Sequence, residues 1–173
     1  MTQFRIADVN DAARLSTFAE ANFRQTFAPD NEPEQIELYC SRTYSVELQK
    51  AEIARSNARI ILIEDGDEIV GYVQIHLCAE PATVIFSQNR PAEIERFYIA
   101  HDRHGTGLAK QLMDAAVDLS LKEGADCLWL GVWKENKRGI AFYEKVGFRI
   151  IGEQTFMLGT EEQYDYVMSR NLK

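Results

Sequence analysis

Two glycines one residue apart, Gly105 and Gly107, close a polar stretch, residues 101–106. Bulky, strand-favouring residues precede it, among them Ile94, Phe97, Tyr98 and Ile99. Leu108, Leu112, Ala115, Ala116 and Leu119 follow at helical spacing, and Gly124 stands where a helix C-cap glycine belongs. The pattern is strand, tight loop, helix. Without a Cβ, Gly105 and Gly107 let an anion approach the backbone. The next helix opens with unpaired N–H groups and a partial positive charge. Together these suit a phosphate. The P-loop pattern Gly-x-x-x-x-Gly-Lys-Ser/Thr is not met, and Lys110 stands where a dinucleotide fingerprint needs its third glycine. The same loop also serves as a plain strand-to-helix turn. Just upstream, Glu93 and Glu95 lie two apart at the start of the strand and so face one side.

The elements that must hold these groups follow in order. Residues 2–7 read as a first strand, and Asp8 caps a helix over residues 9–27, with Asp11 in its first turn. Pro33 suits the first position of a helix, and Ser45 separates helices over residues 34–44 and 46–56. Residues 59–64 and 68–78 form a hairpin about Asp65-Gly66-Asp67, with Gly71 marking a bulge or a close packing. His76, among apolar neighbours, reads as a hydrogen-bonded strand histidine. Residues 79–90 read as a loop with a short strand extension. Then come the central strand (93–99), the glycine loop, the long helix, a strand (126–132), a short helix (138–146) and two last strands (148–156 and 163–169) turning near Gly159. This order gives an α/β (α+β) domain with a mixed sheet and helices on both faces. One domain over residues 1–173 is expected.

Composition narrows the partners. A 46% hydrophobic content in 173 residues supports a real core. The formal net charge of −8 speaks against nucleic acid and for a cationic small molecule. No 18-residue apolar run and no apolar leader occur, so no membrane association and a cytoplasmic location are expected. Cys40, Cys78 and Cys127 have no metal-ligand spacing, so no metal is expected, and Cys78 and Cys127 read as small core residues.

From His104 the chain runs His-Gly-Thr-Gly-Leu-Ala, and residues 130–148 run LGVWKENKRGIAFYEKVGF. The first resembles the Arg/Gln-x-x-Gly-x-Gly/Ala pyrophosphate loop of the GNAT superfamily, the GCN5-related N-acetyltransferases. The second resembles that family's Asn, Phe-Tyr and Gly-Phe signature. The resemblance spans most of the chain and is densest over residues 93–148. It implies the GNAT fold, a mixed, mostly antiparallel sheet whose two central strands splay apart, here residues 93–99 and 126–132, with acetyl-CoA as co-substrate. By resemblance, the coenzyme is held by the backbone of Phe97, Tyr98 and Ile99, by the loop Arg103, His104, Gly105, Thr106, Gly107, Leu108 and Ala109, and by Asn136. His104 replaces the usual Arg or Gln, and either it or Arg103 takes that role. Asn136 also suits a helix N-cap.

Acetyl transfer to an amine needs a held thioester, a deprotonated amine and a protonated leaving thiolate. A primary alkylamine, with a pKa of about 10.4, is neutral in only about one molecule in a few thousand at pH 7. Glu95, nearer the gap than Glu93, is the expected base. The resemblance assigns Tyr143 as the acid that protonates the thiolate, and a phenol of pKa about 10 can donate. Its alternative is packing against Phe142. The tail and the central segments resemble bacterial spermidine and spermine N-acetyltransferases, so a small polyamine is expected, its ammonium groups met by glutamates of the helices before the hairpin, Glu34 and Glu37 first. A protein N-terminus, a lysine or another small amine remains open, as does a non-catalytic acyl-CoA-binding role. Partners are thus a small-molecule amine and, among macromolecules, at most a second copy of the chain in a homodimer.

Overall fold

The computed structural model describes residues 1–84, 86 and 90–173. A seven-stranded sheet carries the fold. Its strands are β1 (Thr2–Ile6), β2 (Ala58–Asp65), β3 (Glu68–Leu77), β4 (Pro91–Ile99), β5 (Cys127–Trp133), β6 (Arg149–Leu158) and β7 (Glu161–Asn171), in spatial order β1-β2-β3-β4-β5-β7-β6. Every neighbouring pair is antiparallel except β4 and β5. Those two are joined by a helix, as parallel neighbours require. The mixed sheet and the element order are those read from the sequence. The loop expected over residues 79–90 falls partly on residues 85 and 87–89, which lie outside the described residues, and β4 begins two residues earlier than expected.

The helices are α1 (Ala12–Phe27), α2 (Pro33–Thr43), α3 (Val46–Ile53), α4 (Leu108–Lys122) and α5 (Lys137–Lys145). A 3-10 turn, Val9–Asp11, leads into α1, and Asp8 caps it by accepting from the Asn10 amide at 2.8 Å. Asp11 does more than favour the dipole: it is buried and takes both guanidinium nitrogens of Arg5, at 2.6 and 2.7 Å. Ser45 caps α3 through the Leu48 amide.

Strand alternation sorts the core onto two faces. Ile61, Ile63, Val73, Ile75 and Ile94 meet Leu108, Leu112, Met113 and Ala116 of α4. Their neighbours Ile60, Leu62 and Tyr72 meet Leu15, Ala19, Phe23, Ile36 and Cys40 of α1 and α2 on the other face. Gly71 is a close approach: a Cβ there would lie 2.8 Å from the Ile99 side chain.

Two irregularities open the sheet. Gln74 pairs with Arg96 while Ile75 pairs with Ile94, so Glu95 is an extra residue on β4. Such a bulge bends its strand. Parallel pairing of β4 with β5 covers only Pro91↔Cys127, Ala92↔Leu128 and Glu93↔Trp129. Beyond Glu93 both strands continue without pairing, which leaves a gap.

Cys78 departs from expectation. It follows the last residue of β3, exposed with φ 57°, and is not in the core. Cys127 is buried as expected. Among the described residues no helix is long and apolar enough to cross a membrane.

Candidate active site

A cleft of about 1100 Å³ runs from the glycine loop, through the β4–β5 gap, to the space between α1, α2 and the β6–β7 strands. At one end, Gly105 and Gly107 hold φ of 81° and 89°, and a Cβ on either would meet nothing within 4 Å. Those conformations cost a side chain about 1–2 kcal/mol. Gly107 is the N-cap of α4 with no side-chain cap, and Gln111 makes the first bond back to it. The amides of Gly105, Gly107, Leu108, Ala109 and Lys110 therefore donate to no described protein acceptor, which suits an anion. Thr106 turns into the loop, its hydroxyl bonding the Arg103 carbonyl at 2.6 Å.

Arg103 and His104 of the loop both line the cleft. Arg103 pairs with Asp65 of the β2–β3 hairpin at 3.1 Å. His104 donates from Nε2 to the Ile99 carbonyl at 2.9 Å. Burial, and then the Arg138 charge, hold its pKa below the ordinary imidazole value. Arg138 of α5 lines the same cleft. It is a cation that the motif comparison did not single out.

Phe97, Tyr98 and Ile99 line the gap, where β4 has lost β5 as a partner. Asn136 caps α5 by accepting from the Gly139 amide at 2.9 Å and also faces the cleft. Tyr143 of α5 packs edge-on against Phe97, Phe142 and Phe148. Burial raises its pKa well above that of an ordinary phenol, so it is protonated at neutral pH. The residues expected at the coenzyme end therefore converge on one cleft, with Tyr143 beside the gap.

On the opposite face of the sheet, Glu95 projects from the bulge and its side chain is 33% exposed. Its Oε2 accepts from Gln74 Nε2 at 2.8 Å and meets His76 Nε2 at 3.0 Å. Burial opposes its charge, but the His76 bond and the Arg96 charge outweigh that and hold its pKa below the usual value. Beneath it lies a buried frame: Arg96, 8% exposed, grips Glu52 of α3 at 2.7 and 3.1 Å and donates to Gln74 Oε1 at 3.0 Å. His76 is thus a hydrogen-bonded strand histidine, as its setting suggested. Glu93 sits beside it off the cleft, its pKa pushed up to about 6 by burial and then by Glu95.

Glu34 and Glu37 lie away from the cleft. Glu34 and Glu37 are exposed and out of phase with Ile36 and Cys40, the residues with which α2 meets the sheet. Glu37 pairs with Arg24 at 2.8 Å. Neither lines the cleft. An acid that sequence reasoning passed over does: Asp165 of β7, buried, with its pKa pushed up to about 6 by desolvation. Its readable signal was a carboxylate sharing a strand face with Val167. Phe27, Tyr39, Trp133 and Phe156 complete aromatic walls there.

Residues 18–148 match the acetyltransferase (GNAT) family. The chain is 34% identical over 165 residues to an uncharacterized N-acetyltransferase of Mycobacterium tuberculosis, covering 95% of this chain and 99% of that one. It is 24% identical over 152 residues to a spermidine N(1)-acetyltransferase of Thermoplasma acidophilum, covering 86% and 88%. Among solved structures, a PaiA N-acetyltransferase from the same organism, in complex with coenzyme A, shares the fold with a TM-score of 0.80 at 22% identity over 99% of both chains. The chain belongs to the GNAT family of acetyltransferases. It is an N-acetyltransferase, and acetyl-CoA is its co-substrate.

Proposed function

We propose that the protein moves the acetyl group of acetyl-CoA directly onto a primary amine of a small polyamine such as spermidine or spermine. The observation that carries this is the pair of carboxylates, Glu95 and Asp165, facing the cleft on the side away from α4, among aromatic walls that favour cations. The neighbouring cation, Arg96, is already neutralised by Glu52. The likeness to the Thermoplasma spermidine N(1)-acetyltransferase supports the same substrate class.

The roles follow from position. The free amides at the start of α4 bind the pyrophosphate, with Arg138 as the nearby cation, while Arg103 and His104 shape the loop. The unpaired edge of β4 at Phe97, Tyr98 and Ile99, together with Asn136, holds the pantetheine arm. Glu95, the base expected from the sequence, is held ionised by His76 and Arg96 against burial and instead receives an ammonium group. Tyr143 returns a proton to the departing thiolate. Deprotonating the amine at neutral pH costs about 4–5 kcal/mol, which is the task of a base.

Free-thiol release from acetyl-CoA across a panel of amines tests this. A charge-assisted contact to a second ammonium contributes about 1.5–3 kcal/mol. Spermidine should therefore exceed butylamine by about 10- to 150-fold in kcat/KM at low salt. Equal rates for the two would exclude the polyamine class.

A further inference from the structure

The fold treats the two carboxylates of the acceptor half oppositely. Glu95 is engaged by Gln74 and His76. Asp165 is 7% exposed, lines the cleft, and accepts no hydrogen bond from any described residue. It pairs across the sheet with Trp133 at the end of β5. A Cβ on Gly131 would lie 2.5 Å from Gln154 Nε2 and 3.2 Å from Asp165 Oδ2, so the Gln154 amide and the Asp165 carboxylate share the space that this glycine leaves over β5.

Leu128, Leu130 and Val132 of β5 point into the α4 core, so Trp129, Gly131 and Trp133 point to the other face. Glu95 and Gly131 each lie two residues beyond the last β4–β5 pair, Glu93↔Trp129, and both line the cleft. The two carboxylates thus flank the opening gap from opposite sides, on the face where an acceptor approaches. A buried carboxylate is normally paired. One that is unpaired and faces a cleft is short of either a cation or a proton.

We propose that Asp165 takes the proton from the reacting ammonium, while Glu95 keeps its charge and holds the acceptor's second ammonium. The assignment rests on the acetyl transfer proposed above. The ammonium gives one proton to Asp165, and its nitrogen lone pair forms the C–N bond to the acetyl carbonyl as the C–S bond breaks. The sulfur takes the C–S electron pair and a proton from Tyr143. The nitrogen loses its second proton to solvent, solvent reprotonates Tyr143, and Asp165 releases its proton to water. The sum is amide, free thiol and one proton.

Asp165's environment suits a proton acceptor. Burial alone pushes its pKa up to about 6, with no charged contributor. Its neighbours are Gly131 and Trp133 of β5 and Gln154 of β6. The nearby charges Lys134 and Glu153 pair with each other at 2.7 Å, Lys134 lying over Tyr164 and Tyr166, which alternate with Asp165 and so face the other side. Across the gap stand Glu95 and the Arg96–Glu52 pair. A base works best with its pKa near the working pH.

The test compares Asp165→Asn with Glu95→Gln, reading kcat/KM from pH 5 to 9 with spermidine and with butylamine. Asp165→Asn should lower kcat/KM about 100-fold for both amines alike and remove the acidic limb near pH 6. Glu95→Gln should keep that limb and lose chiefly the spermidine preference, and Glu93→Gln should also keep the limb. Asp165→Ser replaces the Asn variant if that one does not fold, and thermal stabilisation by acetyl-CoA shows that the coenzyme end is intact. A limb that persists without Asp165, or a loss confined to spermidine, overturns the assignment. A wild type that releases no thiol with any amine of the panel overturns the acetyl transfer and this role with it. An active wild type with an unaffected Asp165→Asn overturns this role alone.

Discussion

The two ends of the cleft are made differently. The coenzyme end is mostly one continuous stretch, β4, the glycine loop and the start of α4, and it offers backbone: free amides, two left-handed glycines and an unpaired strand edge. The acceptor end is a meeting of side chains from α1, α2, β4, β5, β6 and β7, held by long-range contacts such as Arg96 to Glu52 and Phe27 to Trp133. Backbone geometry tolerates few substitutions, whereas a wall of side chains can change acceptor without disturbing the fold. The coenzyme end should therefore fail sharply when a Cβ is added, and the acceptor end should respond by degrees.

The sharpest break is Gly107→Glu. It forces a side chain into φ 89° and sets a negative charge at the mouth of the free amides. Wild-type protein at 100 times the Kd of acetyl-CoA gains about 2.7 kcal/mol. The variant should show no thermal shift at millimolar acetyl-CoA and a KM raised at least about 100-fold. A preserved shift would remove the anion-binding role of this loop.

That difference between the ends also explains what could be read in the sequence. Signals carried by neighbouring residues were legible: Asp8 and Ser45 as caps, Asp65-Gly66 as a hairpin, Gly105 and Gly107 as a loop before a helix. Features set by a distant partner were not. The bulge at Glu95 exists only against β3, and Asp165 is buried between Trp133 of β5 and Gln154 of β6, in space that Gly131 leaves open. Glu34 and Glu37 carried the right charge on the wrong side of α2, and Cys78 had strand character at a position where β3 ends. The side chains of the glycine loop are also set from afar: Asp65, distant in sequence, pairs with Arg103, which with His104 lines the cleft.

Tyr143 lies where the two ends meet, so its effect should separate binding from chemistry. Tyr143→Phe keeps the packing against Phe97, Phe142 and Phe148 and removes one hydroxyl. Turnover should fall by about 10- to 1,000-fold, while the acetyl-CoA thermal shift stays as in the wild type. Unchanged turnover would assign Tyr143 to packing alone and leave the thiolate to be protonated by water.

The smallest effect belongs to the pairing of Glu95 with His76, and it shows in stability as a function of pH. The Glu95 hydrogen bond raises the His76 pKa above its ordinary 6.5, against the opposing pull of burial. Stability from a raised histidine is complete below the unfolded value and is lost as pH rises through the folded one. The Glu95 pKa is depressed below 4.5, since the His76 bond and Arg96 outweigh burial. Its contribution is present above that value and is lost as pH falls through the folded one. Both terms are therefore present between about pH 4.5 and 6.5. With Glu95 one-third exposed, solvent screening limits the pair to about 1 kcal/mol or less. Urea unfolding of Glu95→Gln against wild type should show its largest deficit near pH 5.5. The deficit should shrink as pH rises through the raised His76 value, where His76 loses its charge and only the Gln74 bond and the Arg96 charge still favour the carboxylate. It should also shrink as pH falls through the depressed Glu95 value, where Glu95 takes up a proton. A deficit independent of pH would mean that the carboxylate is held by Gln74 and Arg96 alone, and that His76 contributes shape to the acceptor wall but no charge.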